Sequence, residues 1–90
     1  MHAVLVQVTI SDFERAREFL TSQIVPRVSQ APGFVTGYWT RSEDNRGLSL
    51  IMFESEEAAQ TARRMIESAA GSDEGVSFDS AEVREVVAHA

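Results

Sequence analysis

APGFVTGYWTR, running from Ala31 to Arg41, is the stretch that decides how this chain folds. Pro32-Gly33 makes a turn, and the residues from Phe34 onward have the aromatic and β-branched character of a strand. Tyr38 and Trp39 stand side by side on it, and adjacent strand residues point to opposite faces of a sheet. With a large ring on each side, both faces of the sheet need cover.

The flanking segments supply one layer of that cover. HAVLVQVTI, His2 to Ile10, is apolar and β-branched and reads as a first strand. One of its faces, Val4, Val6, Val8 and Ile10, is wholly apolar, while the other carries Gln7 and Thr9. A helix follows, with Ser11 or Asp12 as its cap. Phe13, Ala16, Leu20, Ile24 and Val28 recur at helical spacing as its apolar face. Pro26 lacks an N–H and is expected to kink or interrupt it.

After FVTGYWTR, the polar turn SEDNRG and the strand LSLIMFE complete a hairpin over residues 34–54. A second helix spans SEEAAQTARRMIESAAG, with Ser55 as N-cap, Glu56 and Glu57 in the first turn and Gly71 past its end. Its buried face is expected to be Ala58, Ala62, Met65, Ile66 and Ala69. SDEGVSFDS reads as a loop with a short extended piece at Val76–Phe78, and AEVREVVAHA as the last strand. The order β-α-β-β-α-β is the split βαβ, or ferredoxin-like, motif. Right-handed crossovers give an antiparallel α+β sheet in the order 4-1-3-2, with both helices on one face.

Two helices cover one face only. Leu48, Leu50 and Met52 oppose Ile51 and Phe53 on the third strand, so both sides are apolar where a solvated face would show clean alternation. An open apolar face of this kind marks an interface. The expectation is a homodimer whose two sheets pack face to face, burying on the order of 1,200–2,000 Å² in total. The alternative is that the C-terminal segment folds back over the open face.

Composition narrows the functional classes. Ninety residues suit a single domain over 1–90, small enough to gain from oligomerisation. There is no cysteine, which excludes disulfides and thiolate chemistry. A net charge of -6 without a basic stripe disfavours nucleic acid. All eight basic residues are Arg, which excludes Schiff-base and lysine-base chemistry. No apolar run approaches the ~20 residues of a membrane helix, and the N-terminus lacks the basic region of a signal peptide, so the chain reads as cytoplasmic. There is no Gly-x-Ser-x-Gly elbow and no Gly-rich phosphate loop. His2 and His89, the only histidines, come near each other if the first and last strands pair antiparallel, but two imidazoles make a poor metal site without a third ligand.

PGFVTGYW after a first helix, a polar hairpin, and FESEEAA opening a second helix together resemble the dimeric α+β barrel superfamily, closest to antibiotic-biosynthesis-monooxygenase-like domains. The resemblance spans essentially the whole chain. It implies a ferredoxin-like protomer, a barrel shared between two sheets, and a cavity between helices and sheet. Members of the superfamily include cofactor-independent oxygenases of polyphenols and quinols, haem-degrading enzymes and many proteins of unknown role. The expectation is therefore a cofactor-independent oxygenase of a small aromatic, quinol or polyketide-type compound; the alternative is a non-catalytic dimeric module that binds a small molecule or only assembles. The haem-degrading relatives use an Asn on the first strand, where Gln7 stands here, with a Trp and a His from the second helix region. Residues 55–70 hold neither, so haem degradation is disfavoured and no cofactor is expected.

A cofactor-free oxygenase must bind an electron-rich phenolate, deprotonate it and exclude water. Gln7, Tyr38 and Trp39 are the strand residues suited to hold such a ligand, and Arg41, at the rim, suits a phenolate or carboxylate. Phe34, directly after the helix, turns beneath the helices. Strict alternation from Phe34 then places Tyr38 with Thr36 and Thr40 on the cavity side. It places Trp39 with Val35, Gly37 and Arg41 against the partner subunit, where Gly37 leaves room for a ring from a neighbouring strand.

Overall fold

A computed structural model describes residues 1–69 and 75–90; the expected Gly71 helix stop and the loop residues Ser72, Asp73 and Glu74 lie outside them. Four strands, β1 (His2–Ile10), β2 (Phe34–Arg41), β3 (Arg46–Phe53) and β4 (Val76–Glu85), form one antiparallel sheet. Their order is β2-β3-β1-β4, the ferredoxin-like order expected. Among the described residues three α-helical elements precede and follow the hairpin, α1 (Phe13–Phe19), α2 (Val25–Ser29) and α3 (Glu56–Ala69), with a π-helical turn at Leu20–Ile24 joining the first two. Val28 of α2 and Ala59 and Ala62 of α3 pack in one cluster with Val4, Val6, Ile51 and Phe53 of the sheet, so all the helices lie on the same face.

The helix starts are set by their caps. The Asp12 carboxylate accepts the Arg15 N–H at 3.3 Å, and the Ser55 hydroxyl accepts the Ala58 N–H at 3.1 Å. Each satisfies an N–H that has no partner inside its helix. On α3 the deepest residue is Ala59, fully buried beside Ala62; it lay outside the apolar face expected for that helix. Two buried alanines let the helix backbone approach the sheet closely. Phe53, Ile51, Val4 and Val28 are the largest fully buried side chains, each worth roughly 1.5–3 kcal/mol against exposure.

Pro26 does interrupt the first helix, by a specific device. Leu20–Ile24 forms a π-helical turn between α1 and α2, and Pro26 sits in the first turn of α2. The wider turn passes the chain over the position where the proline nitrogen has no hydrogen to give. The backbone stays right-handed helical at Phe19, Ile24 and Val25, so the direction of travel is kept. The four-residue steps Leu20, Ile24, Val28 drift off one face of a strict α-helix, and the π-turn brings them back into line.

The last strand differs from expectation. β4 begins at Val76, not Ala81, and ends at Glu85. A register shift opposite Gln7/Val8 passes from Ser80 to Phe78, leaving Asp79 as the extra residue of a bulge. Its carboxylate accepts the Thr9 hydroxyl at 2.9 Å. The bulge breaks the alternation there, which is why the segment read as loop. Glu85, not His89, pairs with His2, and His89 lies beyond the strand.

A second bulge has larger consequences. In β2 the register shifts between Phe34, opposite Phe53, and Thr36, opposite Met52. Phe34 lies beneath the helices, edge-on to Phe53 with ring centroids 6.1 Å apart, as expected. Val35 is the extra residue and is 44% exposed. Past it, Gly37, Trp39 and Arg41 pair with Ile51, Ser49 and Gly47 and fall under the helices, while Tyr38 faces outward, 63% exposed. The expected assignment of Tyr38 and Trp39 is therefore reversed. Gly37 does make room for a ring, but the ring is that of Trp39 itself: a Cβ at Gly37 would stand 2.9 and 3.0 Å from its six-membered ring.

The hairpin turn is closed by side chains. The Ser42 hydroxyl donates to Asp44 and accepts the Arg46 N–H. The Ser42 bond is the chief reason that the Asp44 carboxyl is held below its usual range, aided by its own backbone N–H and by Arg46. Asn45 adopts φ 59°, a left-handed conformation that Asn tolerates and β-branched residues do not.

Two substitutions test this architecture. Asn45→Val is expected to cost about 1–2 kcal/mol in urea unfolding, with Asn45→Gly near neutral. Gly37→Ala is expected to cost about 1–3 kcal/mol by overpacking and to shift the emission of Trp39, the single Trp of the chain. An unchanged emission spectrum would contradict the ring's placement over Gly37.

Candidate functional site

The helices do not close down on the sheet everywhere. Between α1, the π-helical turn, α3 and the sheet lies a cavity of about 350 Å³, at the lower end of the ~300–1,000 Å³ typical of small-molecule pockets. Val6 and Val8 of β1, Ile51 of β3 and Val76 and Phe78 of β4 form its sheet side. Phe13, Leu20, Ile24 and Ile66 line it from the helices. The space exists because small residues stand where large ones would fill it: Ala16, Gly47, Ser49 and Ala69 all line it.

Few polar groups interrupt this lining. Trp39 and Ser49 are register partners on adjacent strands and both border the cavity. Neither the Trp39 indole N–H nor the Ser49 hydroxyl has a hydrogen-bond partner among the described residues. The benzo edge of Trp39 lies over Gly37, which leaves the pyrrole edge, with its N–H, at the other end of the ring. A half-buried donor without a partner favours any ligand that offers an acceptor.

The rim is cationic. Arg17 and Arg41 line the cavity and are exposed. The Arg41 guanidinium carbon lies 3.6 Å from the centre of the Phe13 ring, a cation–π contact between the end of β2 and the start of α1. Arg17 follows Phe13 by four residues on α1 and so stands beside it. No described Asp, Glu, His or Tyr lines the cavity.

Of the four residues singled out from the sequence, Trp39 and Arg41 meet at this cavity. Gln7 and Tyr38 do not: both are exposed on the opposite face of the sheet. Gln7 shares that face with Leu5, because Val4, Val6 and Val8 turn to the helices. Ser49 and Arg17 were not foreseen. Ser49 carried a signal, being the one polar residue within LSLIMF, at core parity. Arg17 carried one too, a helical turn after an apolar Phe13. His2 sits at the far end of β1 from the cavity mouth, its Nδ1 buried without a partner. Among the described residues no three His, Asp or Glu gather as a metal site.

The outer face of the sheet carries a second feature. Leu5, Leu50 and Tyr38 align across β1, β3 and β2, and Ala3, Met52 and Thr36 form the next row. β4 bounds this apolar band with Ser80, Glu82 and Arg84, the last two joined at 2.6 Å. Val87, past β4, is 88% exposed and does not pack over the band. Among the described residues no helix is long and apolar enough to cross a membrane.

No family model matches the chain, and no curated protein matches it. Solved structures do. A dimeric ferredoxin-like protein from an uncultured marine organism superposes with a TM-score of 0.62 at 14% identity, over 99% of this chain and 97% of that one. The ActVA-Orf6 monooxygenase of Streptomyces coelicolor, in complex with nanaomycin D, gives 0.57 at 17% identity, over 98% of this chain and 92% of that one. At these identities what is shared is the fold: this chain is a ferredoxin-like α+β protein.

Proposed function

We propose that this protein is a homodimeric, cofactor-independent monooxygenase-like enzyme acting on a small aromatic, quinol-type or polyketide-type compound held in the helix-sheet cavity. The observation that carries this reading is the cavity itself, apolar, about 350 Å³, and furnished with unpartnered donors at Trp39 and Ser49. The ligand-bound monooxygenase of the same fold supports it.

The chemistry asks little of the protein. An ionised anthrone-type or quinol-type substrate is itself the reductant. The methylene carbon of an anthrone takes one atom of O₂ and becomes a carbonyl, whereas a ring C–H carbon of a quinol takes one and the product is a hydroxyquinone; in each case the other atom leaves as water with two hydrogens. The apolar walls exclude bulk water from the ionised substrate. The Trp39 N–H and the Ser49 hydroxyl donate to the substrate oxygens as charge develops there. Gln7 and Tyr38, on the outer face, take no part.

One observation favours a second reading, a non-catalytic dimeric module that binds a small molecule. No described carboxylate, imidazole or phenol lines the cavity, so the described residues offer no general base there. Oxygen uptake separates the two. With a panel of anthrones and hydroquinones, the enzyme reading expects saturable uptake above the uncatalysed rate. Trp39→Phe then lowers it on the order of 10²-fold, and Gln7→Ala leaves it unchanged. Saturable binding without uptake supports the binding module.

The dimer follows from the apolar band on β1, β2 and β3, rimmed by the charges of β4; the dimeric neighbour of the same fold supports it. Sedimentation equilibrium at micromolar concentration is expected to give a dimer, and Leu50→Arg a monomer. A stable wild-type monomer would overturn this assembly.

A further inference from the structure

The rim of the cavity breaks the charge pattern of the molecule. Acidic residues outnumber basic ones 14 to 8, and most arginines outside the rim have a polar partner. Arg46 pairs with Asp44, Arg63 with Glu67, Arg84 with Glu82, and Arg64 donates to Thr61. Arg17 and Arg41 meet no carboxylate among the described residues, although they are neighbours through Phe13. Both line the mouth of a cavity whose walls are apolar, so an anion seated there is attracted by two positive charges.

The geometry of Arg41 suits that role. Its guanidinium face rests on Phe13, which orients the group without using its N–H donors. Those donors form a planar fork matched to a carboxylate. Beneath the fork lie the apolar walls and, deeper, Trp39 and Ser49. A ligand with an acidic head and an aromatic body satisfies both parts at once.

Resting on the reading of the cavity as a small-molecule site, we infer that its ligand is an aromatic carboxylic acid. Its carboxylate is held by Arg41 and Arg17 at the rim, and its ring system is buried against Trp39. The two arginines therefore set specificity: they select the ionised acid over neutral compounds of the same shape, and they fix which end of the ligand enters first.

The test compares 2-naphthoate with 2-naphthamide, which share size and ring but not charge. Calorimetry gives the affinities. The single Trp gives one indole N–H signal in a ¹H–¹⁵N correlation spectrum, which reports arrival in the cavity. The acid is expected to bind at least tenfold more tightly than the amide, both shifting the indole signal. Arg17→Gln/Arg41→Gln is expected to abolish that preference, with a dispersed spectrum showing that it remains folded. Arg64→Gln, which removes a charge elsewhere, is expected to retain it. Equal affinities with the indole signal shifted by both ligands would overturn the acid preference and leave the cavity reading standing. An acid preference that survives in the double variant would overturn the role of the arginines. An indole signal unmoved by either ligand would overturn both the preference and the cavity reading.

Discussion

In a pleated strand the backbone decides which face each side chain meets, and one inserted residue reverses the assignment of everything after it. Val35 is that residue here. Phe34 enters the core ahead of it, edge-on to Phe53. Beyond it Gly37, Trp39 and Arg41 turn beneath the helices, and Tyr38 turns out. Without the bulge the cavity would be floored by Tyr38 flanked by two threonines, and the indole and the guanidinium would face the other way. The indole at the candidate site, the Arg41 half of its cationic rim and the aromatic ring of the outer band all follow from this insertion.

The helical layer sets how much room is left above that floor. α3 comes close because Ala59 and Ala62 have almost no side chain to hold it away. The first helical segment brings Phe13, Leu20 and Ile24 to the cavity while Val28 reaches the core, an alignment the π-turn maintains past Pro26. The result is tight packing at one end of the sheet and open space at the other. The boundary between them is drawn by Gly47, Ser49 and Ala16.

Most of the fold was legible because it rests on local chemistry. Asp12 and Ser55 cap the helices that they mark, the Pro32-Gly33 turn separates the first helical segment from β2, and strand order follows from crossover handedness. The faces of β2 were not legible, since nothing in FVT marks a bulge: Phe34, Val35 and Thr36 are ordinary strand residues, and the insertion is decided by what Phe34 packs against. β4 failed in the same way at Asp79. The site suffered accordingly. Trp39 and Arg41 were chosen for their chemistry and lie at the cavity, whereas Gln7 and Tyr38 were chosen for theirs and do not. Ser49 and Arg17 carried weaker signals, and their meeting at one cavity becomes clear once the hairpin register and the helix position are known together.

The rim of the cavity is fastened by main-chain bonds. The Ile10 N–H donates to the Asn45 carbonyl at 2.8 Å, and the Gly75 carbonyl accepts both the Ser11 and the Asp12 N–H. These bonds tie the end of β1 and the entry to α1 to the hairpin turn and to the start of β4, whatever side chains stand nearby. Phe13, Arg17 and Arg41 are thus mounted on a frame that does not depend on them. A lineage could exchange those three residues, and with them the molecules admitted, while the scaffold stayed as it is. In this protein the entrance is the part most free to diverge, and the floor, where Gly37 and Trp39 must fit one another, is the part least free.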